Sequence, residues 1–199
     1  MASTRLGRLS AVARRAAALL AVDARLRTRD RRTLETILRY YAREPSDAPV
    51  LFVGCAWYTR RYARLFSDDA YITLDVDPAK ARFGASRHIV ASLESVGTYF
   101  ENGELRAIIC NGVFGWGLNA RENVIRAFEA CGRCLTAGGH LVLGWNDVEE
   151  RRPFHPHEAV AALDFERFNF PPFGVAEYQV AGALRHTFSF YRTPADPRG

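Results

Sequence analysis

Asp75 lies 21 residues beyond Gly54, and each closes a short apolar run. An acid at that distance past a glycine turn can accept hydrogen bonds from the hydroxyls of a ribose. Gly54 ends the run Val50-Leu51-Phe52-Val53 and can take the backbone conformation that a tight strand-to-helix turn demands. The helix that follows would point its unpaired N–H groups and positive dipole end at an anion, either a carboxylate or a phosphate. Cys55, Ala56, Trp57 and Tyr58 make the turn itself. The rings of Trp57 and Tyr58 either face a bound cation through their quadrupoles or pack the turn against the N-terminal segment.

A second group of candidates leaves a later apolar run. In Cys110-Asn111-Gly112-Val113-Phe114-Gly115-Trp116-Gly117, three glycines let the backbone approach a ligand closely, while Phe114 and Trp116 supply flat apolar area. Asn111 is the polar group among them. Gly144-Trp145-Asn146-Asp147 closes a further run and is followed by His155 and His157. Asn111, Asp147 and His155 are the candidates for catalysis, with the last two able to take a proton. Phe114, Trp116, Asn146 and His157 are the candidates for contacting a substrate. No metal is expected, because His155-Pro156-His157 lacks an acid or cysteine partner at a recognisable spacing. Cys131 and Cys134 fall on a helix whose apolar stripe is Val124, Phe128, Cys131 and Leu135, and read as core cysteines.

The elements that would position these residues alternate. Apolar runs at 50–54, 71–75, 88–90, 105–110 and 140–145 are separated by helical patterns at 59–66, from Pro78, at 92–101 and at 120–136. Such a series folds into a doubly wound α/β structure, a mostly parallel sheet with helices on both faces. Residues 177–180 and 186–191 alternate apolar and polar and are joined by Ala181-Gly182-Ala183-Leu184, the pattern of an antiparallel hairpin. Asp30 is placed to cap a helix carrying Leu34, Ile37, Leu38 and Tyr41 on one face.

Four segments, Val50–Gly54, Leu74-Asp75-Val76-Asp77-Pro78, Ala107–Asn111 and Leu135–Leu143, follow the order and spacing of motifs in the class I S-adenosylmethionine-dependent methyltransferases. The resemblance covers residues 48 to 192. It implies a seven-stranded sheet in the order 3-2-1-4-5-7-6 with the last strand antiparallel, and S-adenosyl-L-methionine as cofactor. Carried onto this chain, the cofactor would meet Gly54, Cys55, Ala56, Trp57, Tyr58, Asp75, Val76, Ser92, Asn111 and Gly112. Two departures stand out. The family's usual G-x-G-x-G turn keeps only Gly54 here, with Ala56 and Tyr58 at the later glycines, and Ala91-Ser92 stands where the family often has an acid for adenine.

The 199 residues suit a basic N-terminal helical segment (1–47) followed by one Rossmann-like domain (48–199). The net charge of +5 is unevenly distributed: residues 1–44 carry +7 and the remainder −2. A near-neutral catalytic body is not built to follow a nucleic-acid backbone, so a small-molecule or glycosyl acceptor is expected. Leu6, Leu9, Ala13, Ala16 and Leu20 give the first segment an apolar stripe beside arginines, fit for a membrane surface or a protein partner. Four cysteines inside regular elements, with no run of ~20 apolar residues, point to a reducing cytoplasm. Two other readings remain open: a degenerate methyltransferase-like domain that binds cofactor or partners without catalysis, and an NAD-dependent oxidoreductase.

Overall fold

The computed structural model describes residues 28–195. The amphipathic stripe of the first 20 residues lies outside the described residues. Eight strands form one sheet: β1 (Val50–Val53), β2 (Tyr71–Asp75), β3 (His88–Val90), β4 (Leu105–Asn111), β5 (Leu135–Asn146), β6 (Glu166–Arg167), β7 (Glu177–Gln179) and β8 (His186–Arg192). Their order is β3-β2-β1-β4-β5-β8-β6, with β7 also paired to β8. The first five strands are mutually parallel, and β8 runs antiparallel to β5. The expected seven strands and their order are thus recovered, with β7 and β8 as the terminal hairpin. The eighth strand is the addition: β6, two residues long, pairs with one end of β8 on the edge whose other end holds β7.

Among the described residues three α-helices accompany the sheet: α1 (Arg29–Arg43), α2 (Arg121–Cys134) and α3 (His157–Val160). The helices expected over 59–66 and 92–101 are tighter 3-10 segments, Thr59–Leu65 and Leu93–Thr98. Thr28 rather than Asp30 is the N-cap of α1, which leaves Asp30 in its first turn. The helix expected over 120–136 ends at Cys134, and Gly138-Gly139 lie inside β5, which begins at Leu135 directly after it.

Both faces of the sheet are covered, which is why β1 is buried along its whole length. On one face Leu51, Val53, Ile72, Ile108, Leu141 and Leu143 pack against Val124, Phe128 and Cys131 of α2. On the other, Val50, Phe52, Tyr71, Ile109, Phe188 and Phe190 pack against Leu34, Ile37, Leu38 and Tyr41 of α1. A hydrogen bond of 2.9 Å joins Tyr41 Oη to His140 Nδ1 and ties α1 to the start of the parallel part of β5. β1 pairs with β2 on one side and β4 on the other, so the connections leave it in opposite directions. A crevice opens there at the carboxyl ends of the strands.

Candidate functional site

That crevice is a cavity of about 670 Å³, within the range of small-molecule sites. Its wall is assembled from four strand ends: Val53–Ala56 and Tyr58 after β1, Leu74–Asp77 and Lys80 after β2, Ala91–Glu94 after β3, and Asn111–Val113 with Trp116–Leu118 after β4. Asn123 of α2 completes it.

The Gly54 turn is built so that no other residue fits. Gly54 has φ +96, and a Cβ there would overlap the carbonyl oxygen of Asn111. Its amide donates to Leu74 O at 3.1 Å, continuing the β1–β2 ladder into the turn. Asp75 then locks the next residue. Cys55 N–H donates to Asp75 Oδ2 at 2.6 Å and Asp77 N–H to Asp75 Oδ1 at 2.9 Å. Each carboxylate oxygen keeps a second lone pair, and the residue forms part of the cavity wall. Thr59 braces the other side, its hydroxyl donating to Ala56 O at 2.8 Å and accepting from Ala56 N–H at 3.1 Å. Burial, aided by the Asp75 charge, pushes the Cys55 thiol up to about 12, so it is a neutral wall rather than a nucleophile.

Tyr58 lines the cavity, whereas Trp57 does not and is 44% exposed. The cation over both rings is a protein one: the Arg31 guanidinium from the first turn of α1, 4.0 Å from the Tyr58 centroid and 5.1 Å from that of Trp57. The ring quadrupole that would attract a cofactor cation is satisfied on that side by arginine. Val76, Ser92, Asn111 and Gly112 all line the cavity. Ser92 Oγ lies 3.3 Å from Ser95 Oγ, within the same turn.

The loop after β4 divides its two aromatic residues. Trp116 lines the cavity and is half exposed, with the Arg151 guanidinium 3.6 Å from its centroid. Phe114 is fully buried between Trp145 and Phe154, at 6.4 and 5.2 Å, and holds the loop down instead of facing a substrate.

Of the three catalytic candidates only Asn111 reaches the cavity wall. Asp147 is ion-paired to Arg152 at 2.5 Å and Arg185 at 2.9 Å, and it also accepts from Gln179 Nε2 at 3.2 Å. Both of its oxygens are engaged in these contacts, and it does not line the cavity. His155 stacks on His157 at 4.7 Å and meets the edge of Trp145 at 5.3 Å, away from the cavity. His157 belongs to a network beneath the sheet. Its Nε2 lies 3.1 Å from Glu177 Oε2 and its Nδ1 2.5 Å from Tyr191 Oη, while Ser189 Oγ donates to Glu177 and accepts from Trp145 Nε1. Burial and the Arg167 charge lower its pKa despite Glu177. Asn146 is 4% exposed and bonded to His186, not to the cavity.

Four residues that the sequence reading passed over belong here. Glu94, two residues past Ser92, supplies an acid to the cavity end near β3 and is paired with Arg126 at 3.1 Å. Asn123 accepts from the same guanidinium at 2.7 Å. Lys80, the only lysine in the chain, stands on the 3-10 turn after Asp77. His186, at the start of β8, is bonded to Asn111. Glu94 and Lys80 lie two and four residues past the named Ser92 and Val76, Asn123 opens from the helix that follows the Trp116 loop, and His186 is visible only from the strand register.

No family model matches the chain, and no curated protein resembles it significantly in sequence. Solved structures do resemble it. The N-methyltransferase NodS from Bradyrhizobium japonicum WM9 superposes with a TM-score of 0.61 at 19% identity, over 83% of this chain and 97% of that one. The chain has the fold of the class I S-adenosylmethionine-dependent methyltransferases. A geranyl diphosphate C-methyltransferase from Streptomyces coelicolor A3(2) matches at TM-score 0.57 and 13% identity, over 81% and 76% of the two chains. An rRNA methylase from Streptococcus thermophilus matches at 0.54 and 17%, over 84% and 98%. Both NodS and the geranyl diphosphate enzyme have been solved with S-adenosyl-L-homocysteine. These acceptors differ in kind, so the class I fold leaves the acceptor of this chain to be argued from its own residues. Among the described residues no helix is long and apolar enough to cross a membrane, and no three His, Cys, Asp or Glu converge to hold a metal ion.

Proposed function

We propose that this protein is an S-adenosylmethionine-dependent methyltransferase acting on a small-molecule or glycosyl acceptor. The observation that carries the reading is the Asp75 carboxylate in the cavity at the β1/β4 switch point, held by two backbone N–H groups with lone pairs to spare. With the ribose at Asp75, the lateral order of strands suggests the rest. The base would be held on the β3 side by Ser92, Leu93, Glu94 and Asn123, and the amino-acid end by Gly54–Ala56 and Asn111. The residues fit the cofactor: a mostly apolar cavity with the Asp75 carboxylate on its wall and a close-approaching glycine turn. When bound, S-adenosylmethionine supplies an electrophilic methyl group; an acceptor lone pair forms the new bond while the carbon–sulfur bond breaks and its electrons stay on sulfur. Orientation by the wall residues supplies much of the rate of such a displacement.

A small acceptor is favoured over RNA by the charge pattern, since residues 45–199 carry −2, whereas a phosphate-tracking surface needs an excess of basic side chains. Expulsion of bulk water by Tyr58 and Trp116, which line the same cavity as Asn111, would complete the site. Calorimetry with S-adenosylmethionine and S-adenosylhomocysteine tests the reading. Micromolar binding is expected; no heat and no thermal shift at millimolar ligand would sink it and leave an interaction module in its place.

A further inference from the structure

The loops that follow β4 and β5 leave the sheet side by side, because the two strands pair in parallel with Asn111 opposite Gly144. They are packed backbone against backbone. Gly115 has φ +79, and a Cβ there would lie 1.9 Å from the carbonyl oxygen of Arg151, which ends the 3-10 turn Glu149–Arg151. Phe114 meets Phe154 edge-on at 5.2 Å between the same two loops. Trp116 follows that glycine and is thereby fixed against Arg151, whose guanidinium carbon stands 3.6 Å from the ring centroid. Trp116 lines the cavity; Arg151 touches that wall residue without lining the cavity itself and is half-buried at its rim.

This pair is arranged to meet an anion. At van der Waals contact over the ring face, the guanidinium has room only for a plane close to that of the indole, so its N–H groups point outward in that plane. None of those donors is taken by the protein. Among the described residues the Arg151 side chain has no carboxylate or other hydrogen-bond partner, and its exposed neighbours Glu149 and Glu150 do not pair with it. The arginines on neighbouring elements are already paired: Arg121 with Glu158 at 2.9 Å, Arg126 with Glu94 at 3.1 Å, and Arg152 and Arg185 with Asp147 at 2.5 and 2.9 Å. One positive charge therefore stands beside the β4 end of the cavity without a protein counter-charge. An unpaired arginine on an open surface is ordinary. This one is held, by a turn whose backbone is locked, on a residue of the wall, and its planar fork matches a carboxylate or a phosphate through two parallel hydrogen bonds.

We propose that Arg151 is a specificity-determining residue that binds the acidic group of the acceptor, with Trp116 as its platform, so that the substrate class is small oxyacids, either carboxylates or phosphate esters. This rests on the preceding reading, which gives the β1–β3 side of the cavity to S-adenosylmethionine and leaves the β4 end, with Asn111 and Trp116, to the acceptor. The anion pairs with the guanidinium at the rim while the remainder of the molecule extends inward past Trp116. Fixing the guanidinium on the ring beforehand lowers the ordering cost of that contact. A neutral molecule of the same shape forgoes the ion pair, and a cationic one is repelled.

The test uses the full chain and three probes of similar shape: benzoate, phenyl phosphate and neutral benzamide, titrated by calorimetry with and without saturating S-adenosylhomocysteine. At least one anion should bind at millimolar concentration or below, and benzamide should bind about tenfold more weakly or not at all. The tighter of the two anions assigns the acidic group of the acceptor as a carboxylate or a phosphate ester. Arg151→Gln should weaken that anion about tenfold and remove the preference over benzamide, while the dissociation constant of S-adenosylhomocysteine stays within about twofold of wild type. Arg151→Lys keeps the charge but loses the planar fork, and should fall between the two. The anion should also change Trp116 fluorescence in the wild type and not in Arg151→Gln. Benzamide binding as tightly as the anions, no binding of either anion, or an Arg151→Gln protein that holds them unchanged overturns the proposal. Anion binding through Arg151 in a wild type that takes up no S-adenosylhomocysteine would instead refute the methyltransferase reading and leave the oxyacid site standing.

Discussion

Replacing Asp75 with alanine should weaken cofactor binding and the fold together. The carboxylate accepts from Cys55 N–H at 2.6 Å and Asp77 N–H at 2.9 Å. A hydrogen bond to a charged acceptor contributes ~1.5–3 kcal/mol when buried. Asp75 is only partly buried, so water replaces some of what is lost, and about 2 kcal/mol of stability is the expected cost for the pair. In a domain of this size that is a fall in Tm of about 4–8 °C. The ribose hydroxyls would lose a further ~1.5–3 kcal/mol, which raises the dissociation constant of S-adenosylhomocysteine about 10- to 100-fold. Urea denaturation and calorimetry on the same preparation separate the two effects. Asp75→Asn should be intermediate, since it keeps one acceptor oxygen but sets an NH₂ against one of the backbone donors. A folded Asp75→Ala protein with unchanged affinity would refute the ribose assignment, and a loss of stability alone would reduce Asp75 to a brace for the turn.

Gly54→Ala should cost more than ~3 kcal/mol or prevent folding, because φ is +96 and the Cβ meets the Asn111 carbonyl. Gly112→Ala, with φ +70 but open space, should cost about 1 kcal/mol by the same denaturation assay. Trp116 fluorescence should change on adding S-adenosylhomocysteine; Trp116→Phe should abolish most of that change and Trp145→Phe little, because Trp145 is 1% exposed and donates to Ser189. Equal loss in both variants would place the ligand elsewhere. Stability should fall as pH drops from about 6.5 toward 4. Burial and the Arg192 charge lower the pKa of His140 to about 4, so between these values the unfolded chain binds the extra proton. His140→Gln should remove about 1–3 kcal/mol of that slope, and an unchanged slope would show that His140 is not the group responsible.

The parallel core was legible because strands buried on both faces must be apolar throughout, as Val50–Val53 and Ala107–Cys110 are. The tighter winding of Thr59–Leu65 and Leu93–Thr98 was not, since about two turns of either helix type bury similar positions. β6 is likewise silent in the sequence. Two exposed residues, Glu166 and Arg167, become a strand only because β8 offers them an edge, and Glu166 gains an ion pair with Arg192 at 2.8 Å there.

The site divides along the same line. Residues in the first turns after parallel strands, from Gly54 to Tyr58, Asp75, Val76, Ser92, Asn111 and Gly112, sit at the carboxyl edge by topology alone, and among those named only Trp57 does not line the cavity. Proximity in sequence misled after β5. Asp147, His155 and His157 follow Asn146 closely, yet Arg152 and Arg185 draw the first into ion pairs, and the chain then turns beneath the sheet, where Glu177 and Tyr191 hold His157. His186 shows the converse. It comes 40 residues after Asn146, and an antiparallel strand of the right length returns it to the same edge, opposite the residue from which the chain departed. Fixing that return needs the length of β8 and its register on β5 together. A one-residue slip would move His186 off Asn111 and put Phe188 and Phe190 on the face that Ser189 and Tyr191 now occupy. The burial of Phe188 and Phe190 against α1 is thus what aims the imidazole at the cavity wall.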